Sequence, residues 1–126
     1  MKIIYLKDRN SNWKEFSYEL LSELADEFKK MDIKIEAGVM IRAGAKIEAR
    51  VTIGEGATIG EWATIREGAK IGARATIGTR AKIETGVTIE AGATIEAGET
   101  IGVVSFATEI LNNLFSNFNN TFSNLN

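Results

Sequence analysis

Apolar residues along this chain fall into three regimes, and the middle one dominates. Between Ile33 and Val104 isoleucine returns at every sixth residue, from Ile35, Ile41 and Ile47 onward to Ile101, without interruption. Two residues before all of these but the last stands a second apolar residue, nearly always Ala or Val, and three residues after it usually a Gly. The positions on either side of each Ile are mostly Thr, Lys, Arg, Glu or Gly. Apolar residues at i and i−2 with polar neighbours are the alternation of a strand, whose successive side chains point to opposite faces. Gly at i+3, as at Gly38, Gly44, Gly56 and Gly68, marks the turn, because Gly takes positive φ without a steric cost. A strand this short cannot bury its Ile alone. A period held this strictly therefore predicts one small unit stacked many times, each strand pairing with those above and below it.

The flanking regimes differ. Lys2–Leu6 reads as a short strand, and Asn10–Asn12 as a turn. Asn12 with Glu15 three residues later has the form of a helix start. Trp13, Phe16, Leu20, Leu21, Leu24, Phe28 and Met31 follow at helical spacing, which predicts a helix capping the open bottom of the stack, with a partner-binding helix as the alternative. Beyond Gly102 the repeat stops, and Glu99 already replaces the small residue at i−2, marking the top unit. Val104, Leu111, Phe118 and Leu125 are seven apart, with Leu114 and several Phe widening the stripe. Between them lie Asn and Ser, and no charge follows Glu109. Asn is a mediocre helix former, so this tail needs a partner surface to be helical, either other copies of itself or the top of the stack. The chain thus divides into an N-terminal strand and capping helix (1–32), a repeat region (33–104) and a helical assembly tail (105–126).

The repeat, in runs such as VTIGEGATIGEWATIREGAKIGARATIG over residues 51–78, resembles the bacterial hexapeptide-repeat family. The resemblance covers residues 33–104. It implies a mainly β chain folded as a parallel β-helix of triangular section, wound left-handed; the general crossover preference would have favoured the other hand. Three hexapeptides complete one coil in that family, which gives four coils: 33–50, 51–68, 69–86 and 87–104. At the usual spacing between strands the stack is about 19 Å tall.

Charge adds a second layer of order. Tier by tier the net charge runs +2, −2, +3 and −3, from four basic against two acidic residues, then one against three, four against one, and none against three. Residues 18 apart lie above one another, so Glu48, Arg66 and Glu84 form a ladder; neighbouring offsets bring Glu55 near Arg74, Glu61 near Arg80 and Lys82 near Glu99. Opposite charges on adjacent strands stabilise by roughly 0.2–1 kcal/mol and like charges are penalised. Charge can therefore fix a register that identical Ile columns leave open.

The three faces are not equivalent. Two carry Lys at the outward position (Lys34 and Lys70; Lys46 and Lys82), whereas Met40, Thr58, Thr76 and Thr94, with Gly60 and Gly78 beside them, make the third nearly flat. Members of the family usually trimerise side by side. That face is accordingly the expected homotrimer interface, with Leu111, Leu114 and Phe118 of the tail as further interface candidates; ordinary solvent-facing Thr, favoured for β propensity, is the alternative. Corner position i+3 departs from Gly at Arg50, Trp62, Arg74, Arg80 and Val104. Trp62 and Arg80 share an edge, where a guanidinium over an indole would form a clasp worth about 0.5–2 kcal/mol. As a site, Trp62, Arg74, Arg80 and Glu61 would suit a small anionic or planar ligand in a cleft between subunits.

Composition narrows the function. The 126 residues include no Cys, which removes disulfides and thiolate metal sites, and a formal net charge of −2 gives no reason to expect nucleic acid. Nothing near Met1 has the form of a signal peptide and no apolar run is long enough for a membrane span, so the expected compartment is the cytoplasm of a bacterium or of a virus infecting one. Most characterised relatives are acyltransferases with a His base, and the carbonic anhydrases of this fold bind zinc through His; this chain has no His. No metal or cofactor is expected. The sequence reading is a non-catalytic homotrimeric binding or structural module, for instance a viral protein sequestering a small anionic ligand. Two alternatives stand beside it: an acyltransferase with an atypical base such as Glu61 or Glu67, and an ice-binding protein using the Thr58, Thr76 and Thr94 column.

Overall fold

The computed structural model describes residues 2–8 and 10–102. The tail, with Leu111, Leu114, Phe118 and the corner residue Val104, lies outside the described residues.

Two long strands open the chain. Strand β1 (Lys2–Lys7) and strand β2 (Trp13–Tyr18) form an antiparallel hairpin, with Ile4 opposite Phe16 and Lys7 opposite Trp13. A 3-10 turn (Leu21–Leu24) leads into a single short helix, α1 (Ala25–Lys30). Twelve short strands follow, one per hexapeptide: β3 (Lys34–Ile35), β4 (Met40–Ile41), β5 (Ala45–Ile47), β6 (Thr52–Ile53), β7 (Thr58–Ile59), β8 (Thr64–Ile65), β9 (Lys70–Ile71), β10 (Thr76–Ile77), β11 (Lys82–Ile83), β12 (Thr88–Ile89), β13 (Thr94–Ile95) and β14 (Thr100–Ile101).

Every third strand stacks in parallel, which builds a solenoid with three faces: β3, β6, β9 and β12 on face I; β4, β7, β10 and β13 on face II; β5, β8, β11 and β14 on face III. The registers pair residues 18 apart, as in Thr58 with Thr76 and Ile65 with Ile83. The two apolar positions of each unit point inward. Ile47, Ile53, Ile59, Ile65, Ile77 and Ile83 are wholly buried, and so are the Ala partners from Ala57 to Ala81. Each fully buried Ile contributes roughly 1.5–3 kcal/mol relative to exposure. A stack of identical aliphatic layers is thus the core, with no separate centre.

The bottom of the solenoid differs from the expected helix cap. Residues 13–18, predicted as the first turns of a helix, are strand β2. Their own alternation explains why: Phe16 and Tyr18 turn toward the interior while Trp13, Glu15 and Ser17 turn out, and pairing with β1 satisfies six residues of backbone at once. The hairpin then extends face III downward, because β1 runs parallel beneath β5 with Ile4 beside Ala45 and Leu6 beside Ile47. Helix α1 does close the bottom, but only from residue 25 onward. Leu24, Phe28 and Met31 are buried in the common core, and the Ile33 N–H donates to the Phe28 carbonyl at 2.8 Å. Tyr18 adds a buried tie: its hydroxyl donates to the Ile41 carbonyl at 2.8 Å, and burial pushes its pKa up.

Candidate functional site

The corners carry whatever chemistry the solenoid has, since the faces show mostly Thr and Lys. Every corner residue at i+3 among the described residues is left-handed. Arg50, Trp62, Arg74 and Arg80 have φ of 64°, 60°, 61° and 63°, the same region as the Gly corners, so the bulky residues accept the conformation instead of reshaping the turn. For an L residue that conformation costs about 1–2 kcal/mol. Asp32, at φ 58°, takes the same place just before the first coil, a corner the repeat pattern had not marked.

The expected site residues divide between two edges. Trp62, Glu61 and Arg80 lie on the edge between faces II and III; Arg74 lies on the edge between faces I and II, above Gly56. Face II separates them, so the four do not converge on one edge within a single chain. Nor does Arg80 cover the indole. Trp62 leans downward onto Gly44, where an added Cβ would come within 2.5 Å of the ring, and stacks on Tyr5 with centroids 6.4 Å apart at 30°. In place of the expected clasp with Arg80, the indole joins the second coil to the N-terminal hairpin. Gly44 makes room for it. Tyr5 donates its hydroxyl to Glu15 at 3.0 Å, and that bond, followed by burial and the Glu15 charge, holds its pKa above the usual phenol value. The cation–π contact among the described residues is elsewhere, Lys7 over Trp13 at 5.6 Å.

The third edge, between faces III and I, bears the expected ladder. Arg66 bridges Glu48 at 3.4 Å and Glu84 at 3.2 Å. The Arg66 Nε contact to Glu84 is charge attraction without a hydrogen bond, since that N–H has no aligned acceptor. Glu48 is the buried charge among the described residues, 5 % exposed. It is well partnered: Lys7 approaches at 3.8 Å, and its second oxygen accepts the Glu67 N–H at 3.2 Å. Glu67 in turn pairs with Arg50 at 3.4 Å. The other expected charge neighbours meet through backbone instead: the N–H groups of Arg74, Arg80 and Lys82 donate to the carbonyls of Glu55, Glu61 and Glu99. Their side chains make no ion pair with a described residue.

The pattern-based reading missed three features. Tyr5 as the partner of the indole was invisible because it lies outside the repeat. Glu48 as the junction of hairpin and ladder had a signal, its place just after the strand that β1 joins, but no sequence rule says which strand β1 will meet. The third is a groove of about 640 Å³ at the bottom, between α1 and the first coil, floored by residues such as Phe28, Ile33, Ile35 and Val39, with Lys29, Asp32, Lys34 and Glu36 exposed around it. No group of three or more acidic residues among those described is placed to hold a metal, and no described helix is long and apolar enough to cross a membrane.

Comparison with curated proteins and with solved structures finds no match. The family model for the bacterial transferase hexapeptide (six repeats) matches residues 32–67 and 63–97, which together make up more than half of the chain. Those bounds lie on the stacked coils and stop just short of the last strand, β14. On the strength of that match and of the solenoid itself, the chain belongs to the bacterial hexapeptide-repeat transferase family.

Proposed function

We propose that this protein is a self-associating binding or structural module, a homotrimer whose copies pack through face II. The observation that carries this reading is the contrast between the faces. Face II presents Met40, Thr58, Thr76 and Thr94 without a Lys, and Met40 is 52 % exposed although it is large and apolar. Beside it Gly60 and Gly78 add no side chain at all. Their backbones lie so close to the next coil that a Cβ on either would sit within about 2.6 Å of it; Gly54 and Gly72 do the same on face I, so the missing Lys is what sets face II apart. Faces I and III interpose exposed Lys34, Lys70, Lys46 and Lys82, whose desolvation would oppose packing. Light scattering at micromolar concentration should give the mass of three chains, and a monomer there rejects the reading.

A second reading concerns ligands and rests on the two edges that border face II. Arg74 on one edge and Arg80 with Trp62 on the other are exposed, and neither guanidinium has an ion-pair partner among the described residues. Packing through face II would bring such edges from two copies together around a cleft suited to a small anion. Trp62 fluorescence titrated with nucleotides or sugar phosphates tests it. Quenching that is lost in Arg80→Ala supports the site; an unchanged titration in that variant leaves Trp62 as the structural clasp to Tyr5.

A further inference from the structure

The lower rim of the solenoid is finished differently on each face. On face III, β1 pairs with β5, and the Gly44 N–H donates to the Ile3 carbonyl at 2.8 Å. On face II the Tyr18 hydroxyl donates to the Ile41 carbonyl. On face I, β3 is the edge of its sheet, with β6 above it and no described strand below. The N–H groups of Lys34 and Glu36 donate upward, to the Val51 and Ile53 carbonyls at 2.9 and 3.0 Å. Successive main-chain groups of a strand point to opposite sides, so the N–H and C=O of Ile35 between them point down. Among the described residues nothing pairs with either group. They open on the groove of about 640 Å³ whose far wall is α1, and which is lined by residues between Leu21 and Val39.

We infer that this groove takes an extended peptide segment of another protein, which adds to face I as a strand beneath β3. Ile35 offers a donor and an acceptor on one side, the arrangement that exchanges two hydrogen bonds with the residue opposite in an antiparallel pair. An apolar small molecule could fill the groove, but it would bury that N–H and C=O unsatisfied, which is costly. Side chains define the segment. The peptide residue opposite Ile35 points inward beside it, toward Phe28 and Val39, and is apolar. Its two neighbours point outward, opposite Lys34 and Glu36, which are exposed and of opposite sign. The complementary antiparallel segment is therefore basic, apolar, acidic, with the base opposite Glu36 and the acid opposite Lys34. A second copy, inverted to bring β3 against β3, is kept off by the hairpin, which projects two strands below face III.

The probe is the synthetic peptide acetyl-Ser-Thr-Lys-Val-Glu-Thr-Ser-amide, titrated into the isotope-labelled full chain and followed by its amide resonances and by calorimetry. Strand addition requires resonance shifts centred on residues 21–39 and slowed hydrogen exchange at the Ile35 amide. The same peptide with its Val N-methylated lacks the main-chain donor opposite Ile35 and should bind about tenfold more weakly or worse. Lys34→Glu should weaken the parent peptide about fivefold, and a peptide with Lys in place of its Glu should recover that loss. Lys34 is exposed, so the circular dichroism of this variant should match the parent's. No shift in residues 21–39 at saturating solubility of the peptide overturns the inference. Equal binding of the parent and N-methylated peptides also overturns it, and makes the groove a site for apolar ligands. A Lys34→Glu chain that binds both charged forms as the parent does overturns the assigned segment.

Discussion

The second and third coils and the first 32 residues solve the same problem, burying aliphatic side chains, by opposite means. In residues 51–86 the solution is repetition: each Ile rests on the Ile 18 residues away, and local preference has nothing to decide. In residues 1–32 the solution is assembled from unlike parts, a hairpin, a 3-10 turn and six residues of helix, held by single contacts such as Tyr18 to Ile41, Tyr5 to Trp62 and Lys7 to Glu48. A repeat distributes its stability over equivalent layers, whereas a cap concentrates it in particular residues. The same substitution should therefore have different consequences in the two regions.

The largest effect is expected in the core layers. Ile65→Ala in the middle of the stack should cost about 2–5 kcal/mol, because fixed coils on both sides prevent collapse around the cavity. Ile35→Ala should cost clearly less, since Ile35 is only partly buried and faces the bottom groove. Equal losses in chemical denaturation would mean that the bottom is packed as tightly as the middle.

Glycines sharpen the contrast between close approach and turn conformation. A Cβ on Gly72 would stand 2.4 Å from the Ala91 nitrogen, so Gly72→Ala must push coils apart, at about 1–3 kcal/mol. Gly86 has a φ of 73° and nothing within 4 Å of an added Cβ. Gly86→Ala should then cost about 1 kcal/mol, the conformational part alone. Thermal unfolding of the two variants side by side reads the difference, and the reverse order would mean that the coils yield more easily than the corners.

Arg66→Glu places three acids in one column with Glu48 and Glu84, turning two attractions into repulsions. A loss of about 1 kcal/mol is expected at low ionic strength, shrinking as salt is added. A variant as stable as the parent in low salt would remove charge from the account of register.

The smallest effect is local to the cap. Glu15→Gln should bring the Tyr5 ionisation down toward the ordinary phenol range, seen in an ultraviolet pH titration against Tyr18. The sign follows from a folded-state pKa raised above the unfolded one. The stabilising contribution is present below the unfolded value of 10.0 and is lost as pH climbs through the higher folded value. An unmoved Tyr5 titration would detach it from Glu15.

What could be read from the sequence follows the same divide. The six-residue units were legible because Ile returns at every sixth position, whereas their grouping into three-sided coils came from the family resemblance; with that grouping the Glu48, Arg66, Glu84 ladder, whose members occupy one position in three successive coils, was legible too. Side-chain direction at a corner was not. Spacing alone put Trp62 beneath Arg80 but could not show that Gly44 below leaves an indole-sized space, or that Tyr5 waits beyond it. The cap was half legible: Phe16, Leu20 and Leu24 fit a helical stripe, while Phe16 and Tyr18 fit a strand equally well, and only the presence of β1 decided between them. For the proposed ligand edge, residue types and spacing offered candidates without a geometry, since Arg74 and Arg80 belong to different edges.

The central claim is that face II is where copies meet, and one substitution tests it with its own control. Thr76→Lys puts a lysine in the middle of face II, at the outward position that Lys70 and Lys82 already occupy on the other faces without disturbing the fold. Thr64→Lys makes the same change on face III. Sedimentation velocity of the parent and both variants should show trimers for the parent and Thr64→Lys, and monomers for Thr76→Lys with its β-sheet circular dichroism intact. A trimer that survives Thr76→Lys, or one lost equally in both variants, would contradict the claim.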